Sequence, residues 1–209
     1  MNISDLFVRF MLWQLKVICH LRYEIKGLDR LPSGKFMCAS KHQSSWETVG
    51  LMSILSDPAF VVKRETRWVP VFGIVMMRLH HIWIDRIAGV KALEAMAADA
   101  KHHLDRGRPI VIFPEGTRTT VHGESPFKLG VYFLYRRLNV ACVPIAVNSG
   151  LYWRRRSWLK YPGKITLEIL EPIAPGLKQQ QFMSLLEDTI NTATKRLVED
   201  GEANQSSGH

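Results

Sequence analysis

The sequence has few cysteines, and their spacing fits neither a zinc site nor a disulfide framework. The 209 residues contain three, Cys19, Cys38 and Cys142, and no Cys-x-x-Cys pair. Small secreted domains usually carry more cysteines, in even numbers. We therefore expect reduced thiols, as in a cytosolic compartment.

Long apolar stretches are also lacking. No segment reaches about 18 apolar residues without a charge, and the two best candidates, residues 69–84 and 129–147, are interrupted by arginine. The first residues do not resemble a secretory signal either, because Asp5, Arg9 and Lys16 interrupt them. The sequence therefore predicts neither a conventional transmembrane helix nor a signal peptide.

Acidic residues are outnumbered by basic ones. The chain has 28 Lys and Arg against 19 Asp and Glu, which gives a net charge of +9. A basic surface suits nucleic acid, an anionic membrane or a phosphorylated substrate, and net charge alone does not choose among them. Ordinary numbers of glycine and proline exclude a collagenous or low-complexity protein, and 46% hydrophobic residues are enough for the core of one domain.

Residues 3–22 predict an amphipathic helix. On a helical wheel Asp5, Arg9, Lys16 and His20 fall within about 60° of one another, and aromatic and aliphatic side chains cover most of the remainder. So broad an apolar surface must be buried, either against the domain or in a membrane interface. We favour membrane docking, and a terminal core helix is the alternative.

From residue 35 onward, short apolar runs rich in β-branched residues alternate with helical patterns. This alternation predicts an α/β domain with a largely parallel central sheet flanked by helices. Expected strands are 36–40, 60–63, 81–85, 110–113, 141–147 and 164–170, and expected helices are 45–55, 87–105, 127–138 and 178–199. We divide the chain into the amphipathic helix and a linker (1–30), the α/β domain (31–200) and a polar, disordered tail (201–209).

A histidine and a carboxylate follow the first of these strands. His42 leaves the strand, and Glu47 comes five residues later in the first turn of a helix. Such a carboxylate can fix the tautomer of an imidazole, so that its other nitrogen acts as a general base. Ser44 and Glu47, three residues apart, also have the spacing of a capping box, in which Glu47 would stabilise only the start of the helix.

A second polar segment, Phe113-Pro114-Glu115-Gly116-Thr117-Arg118, follows a later buried strand. Parallel strands deliver such turns to one edge of the sheet, where open α/β sheets bind ligands. The planar guanidinium of Arg118 suits a phosphate or a carboxylate. A surface turn with an ordinary ion pair is the alternative.

Together the two segments resemble the PlsC-like glycerolipid acyltransferase family, whose blocks include His-x4-Asp and Phe-Pro-Glu-Gly-Thr-Arg. The resemblance covers about residues 35–150, and its blocks occur in the family's order. This sequence departs from the pattern at Glu47, where most of the family has Asp. The remaining matches are Lys63-Arg64-Glu65, Pro70-x-Phe72-Gly73, Ile84-Asp85-Arg86 and Val143-Pro144-Ile145-Ala146-Val147.

The resemblance implies a role for each of these groups. His42 would be the general base and Glu47 would orient it, without an acyl-enzyme intermediate. Arg118 would be the leading phosphate ligand. Supporting phosphate ligands would be Lys63, Arg64 and Arg86, substrate-positioning residues Glu115, Gly116 and Thr117, and acyl-chain pocket residues Val143, Pro144 and Ile145.

The function implied is acylation of 1-acyl-sn-glycerol-3-phosphate to phosphatidic acid in phospholipid biosynthesis. The donor would be acyl-CoA or acyl-carrier protein, and neither a cofactor nor a metal is expected. We expect a monotopic enzyme on an anionic membrane surface, at the cytoplasmic face of the inner (plasma) membrane. Another lysolipid acceptor, a thioesterase or lysophospholipase-type hydrolase, and a non-catalytic binding protein are the alternatives.

Residues 153–161 combine tryptophan and tyrosine with arginine and lysine. This composition can stack on nucleic-acid bases or contact lipid headgroups. Beside the acyltransferase resemblance we favour the membrane, and we expect no nucleic-acid partner.

Overall fold

In the computed structural model, which describes residues 3–68, 77–85, 89–123 and 125–206, the strands of these residues form one seven-stranded sheet. Its order is β1-β7-β6-β2-β5-β3-β4. Every neighbouring pair is parallel except β6 and β7. The strands are β1 (Leu21–Lys26), β2 (Phe36–Ser40), β3 (Ala59–Lys63), β4 (Ile82–Ile84), β5 (Ile110–Ile112), β6 (Ala141–Val147) and β7 (Gly163–Ile169).

Helices cover both faces of the sheet. α1 and α2 contribute to the core cluster on one face, and α3, α4 and α5 contribute to the cluster on the other. The central strands are buried almost throughout, as is typical of a parallel sheet between two helical layers. The predicted α/β class and largely parallel sheet are therefore confirmed. The helices are α1 (Ile3–Ile18), α2 (Trp46–Ile54), α3 (Gly89–Asp105), α4 (Gly130–Leu138) and α5 (Gln179–Ser206).

The first helix is shorter than predicted, and the residues that follow it, including the expected linker 23–30, are largely structured. α1 ends at Ile18, and His20 adopts a left-handed conformation with φ of 50°. The chain then enters β1, which pairs with β7. β1 escaped prediction because it lies at the edge of the sheet, where its charged side chains remain exposed.

The last helix is longer than predicted. α5 continues to Ser206, so residues 201–206, which we expected to be disordered, are helical. Gly201 is buried here, and a Cβ at this position would lie 2.6 Å from Leu151 Cδ1. The missing side chain therefore allows the helix to pack closely on a short 3₁₀ turn, Ser149–Leu151. Residues 207–209 of the expected tail lie outside the described residues.

α1 uses only part of its apolar surface to pack on the domain. Val8 and Leu12 are buried in the core cluster beneath α2, whereas Phe7, Phe10 and Trp13 are each more than half exposed. One stripe of this helix is therefore part of the core and another is open, and membrane docking of the open stripe stays a prediction. None of the described helices combines the length and hydropathy needed to cross a bilayer.

Candidate active site

The two polar segments meet because their strands are parallel neighbours. Ala39 on β2 pairs with Ile112 on β5, so both strands end at the same edge of the sheet. Just beyond these ends the His42 ring stacks on the Phe113 ring, with centroids 3.9 Å apart. The amide of Thr119 also donates to the carbonyl of His42 over 2.8 Å. The turn after β5 thus fixes both the backbone and the ring of the histidine.

His42 and Glu47 form the pair that their spacing predicts. Nδ1 of His42 lies 3.5 Å from Oε2 of Glu47, which is fully buried. Nδ1 is itself buried, while 17% of the imidazole side chain is exposed. The opposite nitrogen, Nε2, is therefore on the side that a substrate can approach. Such contacts are often long without substrate and shorten in the reacting complex.

Glu47 also contacts the backbone at the start of its helix, as the capping interpretation predicts, while its role in orienting His42 stays a prediction. Its Oε1 accepts hydrogen bonds from the amides of Gln43 over 3.0 Å and Ser44 over 2.9 Å. The Ser44 hydroxyl in turn accepts from the amide of Trp46, the first residue of α2. The contacts that begin the helix therefore also hold the carboxylate beside His42.

Ser149 is a partner of Glu47 that the sequence analysis missed. It lies just after β6, and its hydroxyl donates to Glu47 Oε1 across 102 positions of the chain. The next residue, Gly150, donates its amide to Oε1 of the buried Gln43 over 3.0 Å. β6 is the other parallel neighbour of β2, so both strands end at the same edge of the sheet. A polar residue that follows the apolar run of β6 could therefore have been predicted to lie near Glu47.

These partners keep the Glu47 carboxylate charged despite its burial. Burial alone raises its pKa, but the nearby charge of His42 and the hydrogen bonds from the Ser149 hydroxyl and the Gln43 amide lower the pKa below its ordinary value. An ionised carboxylate at this position is a counter-charge for an imidazolium. It can therefore stabilise the imidazolium that forms when His42 removes a proton.

Glu115 lies inside the protein rather than in an open cleft. Its Oε1 is 3.4 Å from the His42 amide and 3.4 Å from Nζ of Lys41, which is also buried. Burial raises the pKa of Glu115, and the charge of Lys41 opposes this shift. Lys41 Nζ further donates to Asn191 of α5 over 3.0 Å. Glu115 therefore braces the two turns, and the structure gives it no open approach to solvent.

Arg118 lies next to the start of α2. Its Nη1 donates to the hydroxyl of Ser45 over 3.1 Å, and its side chain is partly exposed. The turn reaches this position through Gly116, whose φ of 69° suits glycine, while Thr117 is exposed. A guanidinium is thus held beside the His42–Glu47 pair and remains accessible.

The supporting basic residues lie further along the same edge. Lys63 ends β3, which is separated from β2 by β5, and the next residue, Arg64, pairs with Asp85 over 3.1 Å. Arg86 and the Pro70–Gly73 block lie outside the described residues. The structure therefore brings Arg118 directly to the pair and places Lys63 and Arg64 at a greater distance.

Val143, Pro144 and Ile145 are buried in the middle of β6. Val143 and Ile145 belong to the core cluster that includes α1 and α2. Their lining of an acyl-chain pocket stays a prediction. Among the described residues no group of three His, Cys, Asp or Glu side chains is placed to hold a metal ion.

Comparison with known proteins gives a consistent result. The sequence model of the family described as Acyltransferase matches residues 22–148. The chain is 38% identical over 161 residues to the 1-acyl-sn-glycerol-3-phosphate acyltransferase of Pseudomonas aeruginosa, covering 77% of this chain and 63% of that protein. It is 32% identical over 151 residues to the human 1-acyl-sn-glycerol-3-phosphate acyltransferase alpha, covering 71% and 53%. The chain thus spans less than two thirds of these relatives.

A solved structure shares the fold. The 1-acyl-sn-glycerophosphate (LPA) acyltransferase PlsC of Thermotoga maritima superposes with a TM-score of 0.74 at 20% identity, covering 93% of this chain and 78% of that one.

Proposed function

Because the chain belongs to the Acyltransferase family, we propose that it acylates the free hydroxyl of 1-acyl-sn-glycerol-3-phosphate to give phosphatidic acid. The observation that carries this proposal is the His42–Glu47 pair, with its exposed nitrogen side, next to the accessible guanidinium of Arg118. The names of the relatives support the same acceptor.

The His42–Glu47 pair supplies the base that the reaction needs. Nε2 of His42 removes the proton of the acceptor hydroxyl while the oxygen attacks the thioester carbonyl carbon. The C–S bond then breaks, and the leaving thiolate takes the proton from His42. Glu47 is a positioning residue, since its charge holds Nδ1 and stabilises the transient imidazolium. No acyl-enzyme serine or cysteine takes part.

Phosphate recognition falls mainly to Arg118. Its guanidinium can bind two phosphate oxygens at once and so hold the acceptor hydroxyl near His42. Lys63 and Arg64 are proposed to contribute further along the edge, where the Arg64 guanidinium would contact both the phosphate and Asp85. Arg86 is proposed as a further phosphate ligand. Thr117 and Gly116 line the turn that the phosphate meets.

The donor is proposed to be acyl-CoA or acyl-carrier protein, which acts as a co-substrate, so that no resident cofactor is needed. The enzyme would work as a monotopic protein at an anionic membrane, on the cytoplasmic face of the inner (plasma) membrane. The exposed aromatic side chains of α1 support membrane docking, since such residues favour the bilayer interface.

The test is thiol release from acyl-CoA, and in parallel from acyl-carrier protein, by purified protein in detergent. We expect release only when 1-acyl-sn-glycerol-3-phosphate is added, with equimolar phosphatidic acid as product. Equal release without an acceptor would indicate a hydrolase. Release only with a different lysolipid would leave the reaction class in place and replace the acceptor.

A further inference from the structure

Residues 153–161, here called the basic-aromatic loop, join the Ser149–Leu151 turn to β7. The loop carries three successive arginines and one lysine, and no acidic residue. At its tip Trp158 is 94% exposed and Leu159 is 66% exposed. An apolar tip of this kind, ringed by one sign of charge, is typical of a surface that a partner covers.

The base of the loop is fixed, so its tip has a defined position. Tyr161 donates its amide to the carbonyl of Tyr152 over 2.8 Å. The ammonium of Lys160 lies 4.3 Å from the Trp153 ring centre. The guanidinium of Arg154 likewise lies 5.1 Å from the ring of Tyr161. These cation–π contacts close the base and leave the tip pointing away from it.

The sheet topology places the loop at the catalytic edge. β7 is antiparallel to β6, so its first residue, Gly163, lies at the edge where β6 ends and the Ser149–Leu151 turn begins. The Gly163 amide also donates to the carbonyl of His20, just after α1, over 3.1 Å. The loop, the end of α1 and the active site therefore share one edge.

The chemistry of this surface fits a bilayer better than a nucleic acid. Single strands bind aromatic platforms together with basic grooves, but they would leave Leu159 and the neighbouring exposed Val17 and Ile18 uncovered. A bilayer interface covers aliphatic and aromatic side chains together, and its anionic phosphates pair with arginine.

We propose that the basic-aromatic loop is a second membrane contact, in which Arg154, Arg155 and Arg156 bind anionic lipid phosphates and Trp158 and Leu159 enter the interface. With the exposed face of α1 it holds the catalytic edge against the bilayer. This inference rests on the proposed function, because a lipid acceptor must reach His42 from the membrane.

The test is vesicle flotation with the His42→Ala protein, so that its result does not depend on turnover. Phosphatidylcholine vesicles with and without phosphatidylglycerol are compared at about 0.1 M salt. The R154Q/R155Q/R156Q variant should bind the anionic vesicles on the order of a hundredfold more weakly, from about fivefold for each charge. The W158S/L159S variant should bind both kinds of vesicle at least about tenfold more weakly than the parent.

Matched controls remove equal charge and equal apolar surface from the opposite helical layer. They are R106Q/R136Q/K195Q and V90S/L129S, whose side chains are exposed on or next to α3, α4 and α5. Both controls should bind like their parent. The W158S/L159S variant and both controls should keep the parental melting temperature, since the loop tip packs on nothing. The arginine triple also removes the contact between Arg154 and Tyr161, so its melting temperature should fall by only a few degrees.

The proposal would be overturned by loop variants that bind vesicles like the parent, by a control triple that loses as much binding as the arginine triple, or by a parent that floats with neither vesicle. Tighter binding to a single-stranded oligonucleotide, lost in the arginine triple, would also overturn it and assign the loop to nucleic acid. Failure of the acylation assay with intact flotation would instead count against the proposed function.

Discussion

The candidate site at the edge of the sheet and the exposed aromatic face of α1 differ in how their side chains are held. At the edge, Glu47, Lys41 and Glu115 are buried and fixed by contacts between separate elements. On α1, Phe10 and Trp13 stack on one another at 6.0 Å and otherwise face outward. Folding alone therefore completes the first region, whereas the side chains of the second region remain more than half exposed.

This comparison predicts that the same kind of substitution has very different consequences in the two regions. The largest effect should come from His42→Ala, because it removes the base from a site that is otherwise intact. We expect kcat to fall about 10²- to 10⁴-fold, measured as phosphatidic acid formation in detergent. His102→Ala, an exposed histidine on α3, is the control and should react at the parental rate.

Glu47→Gln should be the next most damaging change, because it affects both catalysis and folding. The amide would turn its NH₂ group toward one of the donors that now face the carboxylate, and the histidine would lose its counter-charge. We expect a loss of about 10²-fold in kcat and destabilisation by about 1–3 kcal/mol in urea unfolding. An unchanged unfolding midpoint would contradict the double role of Glu47, and Glu199→Gln on the exposed part of α5 is the control.

Arg118→Lys should act on binding more than on chemistry. Lysine keeps the charge but loses the planar fork, so two-point contact with a phosphate is lost. We expect KM for the phosphate-bearing acceptor to rise about tenfold with a smaller change in kcat. A fall in kcat at constant KM would instead place Arg118 in the chemical step.

Ser149→Ala tests how the buried network depends on pH. The pKa of Glu47 is lower in the folded protein than its ordinary value of 4.5, so its stabilisation is present above that pH and is lost as pH falls through the folded pKa. Without the hydroxyl the pKa is less depressed. The variant should therefore be about 1–3 kcal/mol less stable than the parent at pH 7, and this gap should narrow toward pH 4.

Ser184→Ala is the matched control, since that hydroxyl donates to the exposed carboxylate of Asp188. We expect its unfolding free energy to stay within about 0.5 kcal/mol of the parent at both pH values. If the difference in unfolding free energy between Ser149→Ala and the parent widened at low pH, the hydroxyl would not act through Glu47.

The smallest effect on stability should come from the exposed aromatic face of α1. Phe10→Ser with Trp13→Ser replaces two large apolar side chains that are each more than half exposed, so the unfolding free energy in buffer should change by less than about 1 kcal/mol. Val8→Ser on the buried stripe of the same helix should cost more, because it puts a hydroxyl into the core. If the Phe10→Ser/Trp13→Ser and Val8→Ser variants lost equal unfolding free energy, the proposed contrast between the two regions would be wrong.

Much of the fold could be predicted from sequence because its central strands are buried on both faces. β2 and β6 have the predicted limits, since continuous apolar runs leave little doubt about where they begin and end. β1 was missed for the opposite reason: its side chains are partly charged, and only its pairing with β7 makes it a strand. The end of α5 depends on Gly201 packing against a distant turn, which local composition does not reveal.

The candidate site likewise has contacts that the sequence predicts and contacts that it does not. His42, Glu47 and Arg118 stand close to strand ends, so their meeting follows from parallel pairing and could be predicted. The Ser149 contact joins residues 102 positions apart and needs the order of the strands. The buried contact between Glu115 and Lys41 likewise depends on how two turns pack against each other. The sequence of the Phe113–Arg118 segment alone does not reveal that packing.

The close packing of Gly201 has a consequence for the order of events during synthesis. The Ser149–Leu151 turn that holds Glu47 is itself held by α5, since Nδ2 of Asn148 donates to the Leu197 carbonyl over 2.9 Å. Glu47 is made early and Gly201 late, so at about 5–20 residues per second roughly 8–30 seconds separate them on the ribosome. The nascent chain thus carries Glu47 well before the support of the turn that holds it, and the buried network is complete only once the last helix has docked.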